Sequence, residues 1–174
     1  MTATICAEFM RPARRRHGSF TGPARKLSAS SPSTLPVSIL ILQGRHLSSQ
    51  PLQSQFLLEL RGLAAAVGRN LELRPCASLR ELVGSLRAAR RRRSEFVLLD
   101  PGELAPQALA EPDALRQALD ELPSAYIEVH DASATTLDER LHAHAPPLAT
   151  IVINGDLAMS YRIALGIALR RLSR

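Results

Sequence analysis

The chain has 174 residues, of which 45% are hydrophobic, and this suits one domain with a sizeable core. Two cysteines, Cys6 and Cys76, lie outside any CxxC pattern and exclude a disulfide framework. No apolar run approaches the roughly 18 residues of a bilayer span, so no membrane partner is expected and a soluble protein of a reducing cytoplasm is the plain reading. Of the net charge of +6, most lies in residues 1–36, where Arg11, Arg14, Arg15, Arg16, Arg25 and Lys26 face Glu8 alone. The remainder is close to neutral, so the distribution of the charge matters more than its total.

Residues 1–36 are rich in Arg, Ser, Pro and Gly and show no apolar period, so a basic, disordered tail is expected there, with the folded domain over 37–174. An Arg- and Ser-rich, acid-poor N-terminus also matches an organelle transit peptide, the alternative to a cytoplasmic location. Residues 37–42, apolar but for Ser38, form a run closed by Gln43-Gly44, as expected of a strand covered on both faces. Residues 52–67 repeat apolar side chains at helical spacing and stop at Gly68. A short strand over 70–73 follows. Ser78 and Glu81 then make a capping box ahead of a helix through Leu82 and Leu86. That helix ends in four arginines, residues 90–93, placed where cations complement the helix dipole. The dipole accounts for them without a ligand, so nucleic acid is not an expected partner.

Strands are predicted over 96–99, 126–130 and 149–153 and helices over 114–122 and 157–172, with turns at Asp100-Pro101-Gly102 and Asn154-Gly155. Five β/α repeats with short connections predict a flavodoxin-like three-layer α/β sandwich, with a five-stranded parallel sheet in the order 2-1-3-4-5. Ligands of such sheets bind beyond the carboxyl ends of the strands. Those ends carry Gln43 to His46, Asp100 to Gly102, His130 to Ser133, and Asn154 to Asp156. A His, an acid, an amide and small hydroxyls in one crevice would suit acid-base chemistry on a small polar molecule, although strand ends are polar on any account. His142 and His144, two residues apart, do not share a helical face, so no metal is expected. Gln43-Gly44-Arg45 matches neither phosphate-loop pattern, so no nucleotide cofactor is expected.

Four segments in order resemble the type II 3-dehydroquinate dehydratase family over most of 37–172. They are the 39–44 strand and turn, the 96–102 stretch ending Asp-Pro-Gly, Ile127-Glu128-Val129-His130, and Gly155 with Tyr161-Arg162-Ile163-Ala164-Leu165. The resemblance implies a cofactor-independent hydro-lyase that takes a proton from beside a carbonyl and eliminates water from a cyclic polyol acid. A lid Tyr would serve as base, beside a lid Arg, a pocket Asn and an assisting His. It also implies self-assembly into trimers and dodecamers.

Carried over position by position, His130 is retained as the catalytic residue, with Gln43, Asp100, Gly102 and Ser133 as the substrate-binding set. Gln43 and Asp100 stand where the family has Asn. Residues 47–52 contain neither the lid Arg nor the lid Tyr, the acidic residue after the second strand falls at Leu79, and a downstream Arg falls near Leu137. Loss of the base alone is expected to cost roughly 10²- to 10⁴-fold in rate. Two readings follow: a dehydroquinate dehydratase-like protein that has lost activity and serves in binding or assembly, or a lyase still active on a related polyol acid.

Overall fold

A computed structural model of the chain describes residues 38–46, 52, 54–132, 136–137, 141 and 143–174. The expected tail, Val37, residues 47–51 of the stretch that corresponds to the lid, Ser133 and His142 lie outside the described residues.

Five strands, β1 (Ile39–Gln43), β2 (Leu71–Pro75), β3 (Phe96–Asp100), β4 (Ala125–His130) and β5 (Ala149–Val152), pair in parallel in the order β2-β1-β3-β4-β5. All residues of β1 and β3 are buried, which is why these strands read as unbroken apolar runs. Alternation along the strands divides the core into two layers. Leu40, Leu42, Val97 and Leu99 pack on one face with Leu82 and Leu86 of α2 (Leu79–Arg92) and Leu115 and Leu119 of a later helix. On the other face Ile39, Ile41, Phe96 and Leu98 meet Leu60 and Ala64 of α1 (Ser54–Ala65). Tyr161 and Leu165 of α5 (Leu157–Leu172) complete that layer.

Local signals account for most boundaries. Ser78 caps α2 through its hydroxyl, which accepts from Glu81 N at 3.3 Å, while the Glu81 carboxylate reaches past the cap to Ala77 N at 2.8 Å. Gly68 and Gly155 take positive φ at the two turns their positions predict. Residues 102–111 carry more structure than the sequence pattern suggests. A turn of 3₁₀-helix, Gly102–Leu104, runs into α3 (Ala105–Ala110), and α4 (Pro112–Asp120) starts two residues before the expected point. Glu111 between them is non-helical, φ −126° and ψ 66°, because Pro112 restricts the residue before it, and Pro112 itself sits comfortably in the first turn.

Candidate functional site

The carboxyl ends of β1 and β3 are locked together by two glycines. A side chain at Gly44 would run into the Pro101 carbonyl, and one at Gly102, where φ is +50°, would strike the Arg45 carbonyl and the His46 ring. This closeness lets Gly44 N donate to the Asp100 carbonyl at 2.7 Å and Glu103 N donate to the Arg45 carbonyl at 2.8 Å. The β1 turn therefore folds back over β3, and it carries His46 to Asp100.

Asp100 is fully buried and its carboxylate is the centre of the cluster. His46 Nε2 lies 2.9 and 2.8 Å from its two oxygens, and the Tyr161 hydroxyl donates to Oδ2 at 2.6 Å. His46 Nδ1 lies 3.4 Å from Asp131 Oδ2, so both ring nitrogens face carboxylates. Burial is the largest influence on His46 and acts to lower its pKa. The bond to Asp100 and the charges of Asp100 and Asp131 outweigh it, and the pKa stands above the usual 6.5. An imidazolium can donate from both nitrogens, which suits this position between two acceptors. Tyr161 is pushed the other way from reactivity. Burial above all, then the charge and hydrogen bond of Asp100, hold its phenol well above 10, with the Gln43 amide a minor opposing influence.

Gln43 pairs in register with Asp100 and points to the same layer, yet its amide Nε2 is buried with no acceptor among the described residues. A hollow of about 610 Å³ opens on the β2 side of this turn, lined by Gln43, Gly44, Arg45, His46, Cys76 and Glu81 among others. Burial chiefly raises the pKa of the Cys76 thiol there, so it is a poor nucleophile.

Of the residues expected in the site, Gln43, Asp100 and Gly102 come together, and His130 stands apart. By strand alternation Glu128 and His130 share the face of Tyr126, the layer of α2 and α4, opposite to the face that Gln43 and Asp100 share with Tyr161. His130 Nε2 meets Glu128 Oε2 at 3.1 Å, with both side chains fully buried, and Leu137 N donates to the same oxygen at 3.2 Å. The other Glu128 oxygen has no partner among the described residues. Ser160 ties this strand end to α5, its hydroxyl donating to the His130 carbonyl at 2.9 Å. Residue-type reasoning placed His46 at a strand end without a role, and it passed over Asp131 as a partner. The facing glycines at 44 and 102 were the available signal that these two turns touch. Among the described residues no group of three His, Cys, Asp or Glu side chains is placed to hold a metal ion, and no helix is long and apolar enough to cross a membrane.

No protein-family profile and no curated protein matches the chain. Solved structures do. A type II dehydroquinase from Propionibacterium acnes superposes with a TM-score of 0.56 at 24% identity, covering 76% of this chain and 97% of that one. The fold is that of the type II dehydroquinases. A 3-dehydroquinate dehydratase-like protein from Bifidobacterium longum gives 0.54 at 23% identity over 78% of this chain and 98% of its own. A type II dehydroquinase from Butyrivibrio crossotus gives 0.57 at 16% identity over 75% and 95%. The dehydroquinase-like core thus takes up nearly the whole of each of these proteins, and the sheet order expected from sequence is the one observed.

Proposed function

We propose that this is a dehydroquinase-like protein that has lost dehydratase activity and serves as a binding or assembly protein, joining with copies of itself. The observation that carries this reading is the closed state of the Asp100 carboxylate. His46 and Tyr161 occupy it at the position where the resemblance implies a neutral amide, and its charge would repel an anionic polyol acid. Tyr161 does not replace the missing lid base, because a buried phenol that donates to a carboxylate and has a raised pKa is held in its neutral form. Both ring nitrogens of His46 face carboxylates, so neither is directed at a substrate.

Purified protein given 3-dehydroquinate is expected to form no dehydroshikimate above background by ultraviolet absorbance. Turnover that His130→Ala abolishes would overturn the proposal. Light scattering is expected to give a multiple of 18.9 kDa, as for a trimer or dodecamer, and the mass of a single chain would remove the assembly role.

The Glu128–His130 pair favours a second reading, an active hydro-lyase on a cyclic polyol acid, because a carboxylate that orients a histidine is a common element of acid-base sites. In that case His130 is the acid-base residue, and a substrate would have to bridge the strand ends from the Glu128 layer to the Gln43, Asp100 and Gly102 layer, with Ser133 just beyond His130 in sequence. The same assay separates the two readings.

A further inference from the structure

The arginines at residues 90–93 are the end of a longer feature. Residues 79–93 hold Arg80, Arg87, Arg90, Arg91, Arg92 and Arg93 against Glu81 alone. At 100° per residue Arg80, Arg87 and Arg91 fall within an arc of about 40° and extend about 16 Å along the outer face of α2. All three are exposed. Arg90 is paired with Glu121 at 2.6 Å and Arg92 with Glu72 at 3.6 Å, whereas among the described residues no carboxylate pairs with Arg80, Arg87 or Arg91. Glu81 is turned away to the Ala77 amide. Glu111 borders a hollow of about 400 Å³ beside Arg80 and Arg87 but forms an ion pair with neither.

The helix dipole does not account for this ridge. Its favourable effect on cations is confined to the last turn, and Arg80 lies in the first turn of α2, where a cation is disfavoured. We infer that the outer face of α2 binds the phosphate backbone of a nucleic acid, without regard to base sequence. Every cation of α2 is an arginine, whose planar fork matches two phosphate oxygens. The ridge spans on the order of five phosphates of one strand at 3.4 Å of axial spacing. An anionic membrane would require apolar anchors on the same face. Among the described residues the exposed large apolar side chains Leu58, Leu63, Val67, Met159 and Ile163 lie on or beside α1 and α5, and Leu148 lies just ahead of β5. The inference does not depend on whether the crevice is catalytic.

The test is fluorescence anisotropy of a labelled mixed-sequence duplex of about 20 base pairs, titrated with the full-length protein between about 50 and 200 mM salt. Wild type is expected to bind with a linear fall of log affinity against log salt. The R80Q/R87Q/R91Q variant should bind at least about tenfold more weakly at the low-salt end, with a slope shallower by about 2 to 3. R14Q/R15Q/R16Q, in the basic N-terminal segment, should keep the greater part of the slope. Should the triple variant not fold, R80Q/R87Q is expected to flatten the slope by about 2. An unchanged slope in the ridge variants, no duplex binding by wild type, or binding to vesicles of mixed phosphatidylcholine and phosphatidylserine in place of the duplex would overturn the inference.

Discussion

Replacing Tyr161 with Phe tests the buried cluster at its least ambiguous bond. The hydroxyl donates to Asp100 at 2.6 Å, and both residues are fully buried, so no water can take its place and the ring still fills its site. A hydrogen bond to a charged group is worth about 1.5–3 kcal/mol, because its loss leaves an acceptor oxygen short of a donor in a low-dielectric interior. Urea unfolding followed by circular dichroism should place Tyr161→Phe about 1 M below wild type in midpoint with an unchanged slope. A Tyr161→Phe protein within about 0.5 kcal/mol of wild type would refute the claim that Asp100 depends on its phenolic donor.

The His46 pKa is raised in the fold, so its contribution to stability is fully present below the unfolded value of 6.5 and is lost as pH rises through the folded value. Stability measured in urea across that range should decline toward alkaline pH, and His46→Gln should flatten the decline; a His46→Gln profile parallel to wild type would assign the pH dependence elsewhere. Gly44→Ala is expected to cost about 1–3 kcal/mol, since the added methyl meets the Pro101 carbonyl and must part β1 from the Asp100 carbonyl to which Gly44 N donates. Equal unfolding midpoints for this variant and wild type would contradict the close approach. Arg93 holds a left-handed conformation, φ 55° and ψ 44°, at the α2 cap, where glycine is the usual residue. Arg93→Gly should therefore raise stability by about 0.5–1 kcal/mol in the same assay, and a loss would show that the side chain contributes more than the strain costs.

The sheet was legible in the chain because its signals are local. Unbroken apolar runs at β1 and β3 declare strands buried on both faces, Ser78 and Glu81 declare a helix start, and Gly68 and Gly155 declare stops. Alternating strands and helices then leave few topologies, and β2-β1-β3-β4-β5 is the common one. The helices at 102–111 were harder to see because Pro106 and Pro112 interrupt the apolar period there.

The site was legible only in outline. The amino-acid sequence places Gln43, Asp100 and His130 at strand ends, and it cannot say which of them meet. That depends on which layer each side chain enters and on how closely two turns approach. Asp100 finds its donors 54 residues upstream in His46 and 61 residues downstream in Tyr161. Their approach rests on glycines at 44 and 102 that leave room for one backbone against the other. His130, the residue with the strongest resemblance to a catalytic group, is turned by the two-residue period of β4 toward Glu128 and the opposite layer. Composition and periodicity determined the scaffold, since burial of apolar surface is set residue by residue along the chain. The charge network at its rim was decided by long-range packing, because the pairing of a buried carboxylate depends on whatever the completed fold brings within hydrogen-bond reach.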